Sequence, residues 1–368
     1  MIKTPITLLT GFLGSGKSTL LSQILQDPAF SNTAVIVNEF GEVGLDDFLV
    51  THADEQVVEM TTGCLCCTVR GDVSNTLLDL WAKRDAGELP AFERVIIETT
   101  GLADPAPVIH TIATDPGIFT RFTLNGIVTT VDAATGLATL DLQEECIKQV
   151  AVADRIVLTK TDLDIDESAL YDLQKRLDRL NPTAEYLERQ SPSFNLEKLF
   201  DTALFDEKKK SVDVQKWLNI EKTTHAHKHE HEHDHHGHGH DHHHDHHHHH
   251  HHHDVNKHGD NIETFSLIID KPLISHSFVL AMQLLISEHG KDLLRIKGIV
   301  NLKERAGQPY IIHGVQHIFH EPLELKKWPS DDHRTKIVFI TRGIPRKTIE
   351  AYFEAWMKVD EHHHLVLS

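Results

Sequence analysis

The chain has 368 residues, more than one compact domain usually holds, so two domains are expected, each able to bury a core. Its 36 basic and 55 acidic residues leave a net charge of -19, which repels phosphate backbones and anionic bilayers and argues against nucleic acid or membrane as a partner. No run approaches the roughly 18 apolar residues of a membrane span, and MIKTPITLLTGF lacks the regions of a signal peptide, so a cytoplasmic location is expected.

In chain order, the apolar runs ITLLT, AVIVN, RVIIETT, GIVTTVD and RIVLTK are each followed by a helix-like stretch. That alternation predicts an α/β domain, a mostly parallel sheet with helices on both faces, over residues 1–205. Residues 225–258 hold 21 of the 32 histidines, mixed with Asp and Glu and almost without apolar residues. Such a tract buries too little surface to offset its ordering entropy, so 206–261 reads as a disordered linker. After it, ETFSLIID, LLRIKGIVNLKE, PYIIHGVQHIFHE and TKIVFITRG read as strands, with HSFVLAMQLLISEHG and PRKTIEAYFEAWMKV as helices. A small α+β domain over 262–368 is expected.

The first strand leads into GFLGSGKST, with Gly11 separated by four residues from Gly16, Lys17 and Ser18, and an amphipathic segment follows. This is the context of a P-loop NTPase: glycines let backbone N–H groups converge on phosphate, Lys17 brings a positive charge to the β and γ phosphates, and Ser18 ligates Mg²⁺. RVIIETTG ends a buried-strand pattern in Glu98 and Gly101, a carboxylate placed for Mg²⁺ or its water and a glycine placed for the γ-phosphate. Taken alone, a Glu at a strand end is more often a surface carboxylate. RIVLTKTD puts Lys160 and Asp162 at the end of another strand, where ligands of open α/β sheets bind. A carboxylate at Asp162 accepts both N–H donors of the guanine edge, which adenine lacks, so GTP is the expected nucleotide. Lys17 and Glu98 are the catalytic candidates.

Three of the four cysteines, Cys64, Cys66 and Cys67, fall within four residues. The spacing suits a metal better than a disulfide framework, and soft thiolates favour Zn²⁺ or Cu⁺ over Mg²⁺. Engaging all three needs a turn, for which Gly63 is available. The competing reading is small buried hydrophobes, and for Cys146 in EECIKQVAVAD that reading is kept. In NEFGEVGLDD, Glu39 and Glu42 are candidates to bind metal or respond to the γ-phosphate, with Gly41 and Gly44 permitting reordering. The histidine tract offers many weak, interchangeable ligand sets, a metal collector of poor selectivity.

Taken together and in this order, GFLGSGKST, NEFGEVG, GCLCC, VIIETTGLADPAPV and LTKTD closely resemble the CobW-type metal-chaperone GTPases, P-loop relatives of the nickel-insertion GTPases of hydrogenase and urease maturation. RIKGIVN and GVQHIF resemble pieces of that family's C-terminal domain, so the resemblance spans the chain. It implies zinc bound by the Cys motif near the switch region and slow GTP hydrolysis tied to metal transfer. By position it assigns phosphate binding to Gly14, Ser15, Gly16, Lys17, Ser18 and Thr19, metal to Cys64, Cys66 and Cys67, and base reading to Lys160 and Asp162. Thr159 stands where many GTPases place Asn.

The expected function is therefore a GTP-hydrolysing metallochaperone with GTP, Mg²⁺ and Zn²⁺ as cofactors. Its expected partner is a client metalloprotein, with a homodimer also open. A metal buffer with a regulatory or vestigial GTPase site is the alternative, and a small-molecule kinase a third reading. Turnover should be slow, because no arginine finger or water-positioning Gln is evident.

Overall fold

A computed structural model of the protein describes residues 3–38, 57–59, 65–69, 73–200 and 261–366. Glu39, Glu42, Cys64 and the histidine tract, all singled out above, lie outside the described residues.

The N-terminal domain runs β1 (Thr4–Gly11), α1 (Lys17–Gln26), β2 (Thr33–Asn38), β3 (Val57–Glu59), β4 (Leu65–Val69), α2 (Val73–Asp85), β5 (Arg94–Thr99), α3 (Ala106–Thr114), α4 (Pro116–Phe119), β6 (Phe122–Asp132), α5 (Gly136–Leu142), α6 (Glu144–Val152), β7 (Arg155–Thr159), α7 (Glu167–Leu180) and β8 (Glu185–Glu188). Its sheet has the order β3-β4-β2-β5-β1-β6-β7-β8. Every neighbouring pair is parallel except β3 with β4. The central strands are apolar almost throughout because both faces are covered. On one face Leu20, Leu21, Ile24 and Leu25 of α1 pack over Leu9, Val35, Ile96 and Val128. On the other, α2 and α3 cover Ile6, Ile36 and Ile97, while α5, α6 and α7 cover Ile156 and Leu158.

The C-terminal domain runs β9 (Ile262–Ile269), α8 (Ser275–His289), β10 (Leu293–Val300), β11 (Tyr310–Val315), β12 (Ile318–Phe319), β13 (Leu323–Glu324), β14 (Thr335–Arg342) and α9 (Arg346–Val366). Its antiparallel sheet has the order β12-β11-β10-β14-β9, with β13 pairing β11. Phe265, Leu267 and Ile269, alternate residues of β9, share a core with Met282 and Leu285 of α8 and Ile349 and Phe353 of α9. The other side of the sheet meets the N-terminal domain. There Val315 and Ile318 join the core of α3, and Leu294 and Ile340 pack on Ala151 of α6.

The structure departs from the sequence reading in three places. PYIIHGVQHIFHE, expected as one strand, turns back on itself at Gln316, whose φ is 54, and forms the β11–β12 pair. LCCTV, read as a metal loop, has the backbone of strand β4. EYLE forms the edge strand β8, for which no strand was expected.

Candidate functional site

The loop between β1 and α1 sits at the C-terminal end of the parallel strands, where Gly11, Gly14 and Gly16 adopt φ values of 142, 73 and 90. Gly11 is required for space as well as angle, since a Cβ there would lie 2.3 Å from Thr130 Oγ1 and 2.5 Å from the Thr130 carbonyl. Ser15 is buried and its Oγ lies 2.6 Å from Thr130 Oγ1. Thr159 Oγ1 donates to the Ser15 carbonyl at 2.8 Å. The threonine that replaces a familiar asparagine therefore anchors the loop to β7. Ser18 and Thr19 are exposed on the first turn of α1, at a helix N-terminus suited to an anion.

Lys17 is 8% exposed, and its Nζ donates to the carbonyls of Gly11 at 2.8 Å and Phe12 at 3.0 Å. The ammonium is thus held inside the loop that phosphate oxygens would enter.

Register places Glu98 of β5 opposite Leu9 of β1, just before the loop. Glu98 is 5% exposed, unlike the surface carboxylate that a Glu at a strand end more often is, and Oε1 accepts from Ser18 Oγ at 3.2 Å. A hydroxyl and a buried carboxylate at this separation are hard oxygen donors that fit Mg²⁺. Past β5, Gly101 runs against the loop so closely that a Cβ would lie 2.5 Å from the backbone nitrogen of Leu13. Gln149 of α6, fully buried, holds this segment by donating from Nε2 to the carbonyls of Gly101 at 3.1 Å and Ala103 at 3.0 Å.

At the other end of the site Lys160 takes a left-handed φ of 59, rare for a residue with a side chain. Its Nζ donates to Asp132 Oδ2 at 2.6 Å, while Asp132 Oδ1 accepts the Ala134 N–H at 2.8 Å. Burial would raise the Asp132 pKa, but the bond from Lys160 and the N–H groups of Ala134 and Thr135 outweigh it and hold the carboxyl below its usual value. Asp162 follows in the turn after β7 and is exposed. The cost of an unpaired guanine donor would therefore arise only once a base covers that carboxylate.

Cys66 and Cys67 lie on β4, in register with Val35 and Ile36 of β2. Strand β2 is also the neighbour of β5 and runs on toward Glu39 and Glu42. Among the described residues no group of three or more His, Cys, Asp or Glu side chains is placed to hold a metal ion. Cys146 is buried, and burial pushes its thiol up to about 12, so it is a core residue rather than a thiolate.

Sequence reasoning passed over Thr130, Asp132 and Gln149. Asp132 ends the run GIVTTVD as Glu98 ends RVIIE, and that shared signature would have found it. Gln149 lies three residues from Cys146 on the apolar stripe of α6, a polar residue at a core position.

A Gly-rich loop between the first strand and helix of a parallel sheet, with a buried carboxylate beside its serine, defines a P-loop nucleotide-binding domain. Residues 5–188 match the nucleotide-binding domain of the CobW/HypB/UreG family, and residues 262–357 match the cobalamin synthesis protein CobW C-terminal domain. The chain belongs to this family. It is 30% identical over 355 residues to zinc chaperone YjiA of Escherichia coli, covering 96% of this chain and 98% of that one. The crystal structure of Zn(II)-bound YjiA GTPase from E. coli superposes with a TM-score of 0.70 at 29% identity, over 97% of this chain and 99% of the other. The zinc-regulated GTPase metalloprotein activator 1 of Dictyostelium discoideum is 31% identical over 262 residues, 61% of this chain and 53% of that one. Among the described residues no helix is long and apolar enough to cross a membrane.

Proposed function

We propose that the chain is a cytoplasmic GTP-hydrolysing zinc metallochaperone that uses GTP binding and hydrolysis to control transfer of Zn²⁺ to a client metalloprotein. The observation that carries this reading is topological: β2 has the Glu98 strand on one side and the Cys66–Cys67 strand on the other, and it leads into Glu39 and Glu42. A rearrangement at the γ-phosphate therefore has a direct route to the metal ligands.

Gly11, Gly14, Ser15, Gly16, Lys17 and Thr19 cradle the phosphates, Ser18 and Glu98 hold Mg²⁺, and Gly101 meets the γ-phosphate. Lys160 and Asp162 read the base. Cys64, Cys66 and Cys67, with Glu39 or Glu42, carry Zn²⁺ as cargo. The names of the relatives support the zinc and the GTPase, and the metalloprotein activator supports the class of client.

The test is to load the metal-free protein with stoichiometric Zn²⁺ and follow GTP and ATP hydrolysis together with zinc release to a competing chelator. GTP-selective turnover that changes the rate of zinc release supports the reading. Absence of GTP turnover at every zinc load overturns it in favour of a metal buffer.

A further inference from the structure

Helix α6 touches both the segment after β5 and the sheet of the C-terminal domain. On its inner side the Gln149 amide is completely buried, and both its contacts are to carbonyl oxygens, those of Gly101 and Ala103, so the donor end faces the segment. Gln149 Oε1 has no hydrogen-bond partner among the described residues, which leaves those two bonds as what orients the amide. The Gln149 carbonyl accepts from Thr129 Oγ1 at 2.8 Å, tying this point of the helix to β6. Lys148 adds an ion pair at 3.9 Å to Asp104 in the same segment.

The same helix is bonded to the C-terminal domain. The Val152 carbonyl accepts from Arg295 of β10, Ala151 packs on Leu294 and Ile340, and Glu144 at the start of the helix pairs with Arg342 at the end of β14. Asn181 donates to the carbonyls of Val150, Ala151 and Ala153, so the helix end is held on both sides. Gly101 and the C-terminal sheet are thus both bonded to one short helix.

We infer that Gln149 is a positioning residue for GTP hydrolysis, holding Gly101 against the phosphate loop, and that α6 relays the nucleotide state to the C-terminal domain through Arg295. This rests on the GTPase reading above. It assigns the C-terminal domain a part in regulating that site.

The experiment uses the full chain and the variants Gln149→Leu, Arg295→Met and the double variant. Fluorescent GDP and GTP titrations are read beside GTP turnover. Gln149→Leu should lower kcat about 10- to 100-fold, as a misplaced catalytic segment does, with GDP affinity within about twofold of wild type. Arg295→Met should shift turnover or the GTP-to-GDP affinity ratio as well, and the two effects should not add. Wild-type turnover in Gln149→Leu, or simple additivity, overturns the inference. Should either variant fail to fold, hydrogen exchange on the wild type decides. Replacing GDP with a non-hydrolysable GTP analogue plus Mg²⁺ should change protection in both residues 144–153 and β10, and an unchanged β10 overturns the relay. A wild type that binds no GTP at all overturns the GTPase reading, and this inference with it.

Discussion

In the proposed function Lys17 and Asp162 mark the two ends of the nucleotide, and each supports a prediction. Lys17→Ala removes a charged donor from the phosphates, and bonds to charged groups contribute about 1.5–3 kcal/mol each. With tenfold per 1.4 kcal/mol, GTP affinity should fall roughly 100-fold. The same change strips a donor from the carbonyls of Gly11 and Phe12, so the melting temperature of the ligand-free protein should also drop. Titration with a fluorescent GTP analogue and a thermal melt check both, and unchanged affinity in a folded variant would refute the role. Asp162→Asn should weaken GTP by roughly 10- to 100-fold, on ~1–3 kcal/mol for a mispaired donor, and should gain xanthosine triphosphate, whose ring carbonyl accepts from the new amide. Competition between the two nucleotides on wild type and variant reads this directly, and a wild type that binds ATP as well as GTP would remove its basis.

At the scale of elements, the parallel strands were legible because burial on both faces writes itself as unbroken apolar runs, and GFLGSGKST announced the loop by its glycines. Strand β8 was not, since EYLE is four residues long with polar ends. In LCCTV the chemistry of the thiols distracted from the fact that cysteine, threonine and valine suit a strand. The site's cross-links were illegible for a different reason: Ser15 to Thr130, Thr159 to Ser15 and Gln149 to Gly101 join residues 115, 144 and 48 apart. Local patterns carry no information on such partners. In the proposed function the cysteines and the histidine tract differ in the kind of ligand they offer, thiolate against imidazole. Deleting residues 225–258 should remove most of the bound metal and the weak affinity class, yet leave one tight zinc site. Replacing Cys64, Cys66 and Cys67 with Ser should do the reverse. On acidification the histidine class should release metal first, near the imidazole pKa of about 6.5. Zinc titrations of both variants decide, and loss of the tight site on deleting the tract would reject the assignment.

At the scale of the whole molecule, a buried charge cluster spans the seam between the domains. Asp154, just before β7, is buried, as are Arg295 and Lys297 of β10. Arg295 bonds its carboxylate, Lys297 Nζ lies 3.0 Å from Oδ1, and the Ile127 N–H donates to Oδ2 at 3.0 Å. Burial alone would raise the Asp154 pKa, but the charges of Arg295 and Lys297, with His313 adding to them, hold it well below the usual carboxylate range. A carboxylate depressed in the folded state stabilises fully above its unfolded pKa of about 3.9, and that contribution declines below it and is lost as pH falls through the folded pKa. Asp154→Asn leaves Arg295 and Lys297 buried without that counter-charge, which costs about 3–5 kcal/mol in comparable pairs. At pH 7 the variant should therefore melt well below wild type, with the C-terminal domain releasing first and appearing as a separate calorimetric transition. As pH falls from about 4 toward the much lower folded value, the wild type progressively loses the same stabilisation, so the gap between the two proteins should begin to narrow below about pH 4 and keep narrowing with further acidification. Calorimetry at pH 7 and at a descending series below pH 4 measures both, and equal melting of variant and wild type at pH 7 would show that the cluster does not stabilise the seam between the domains.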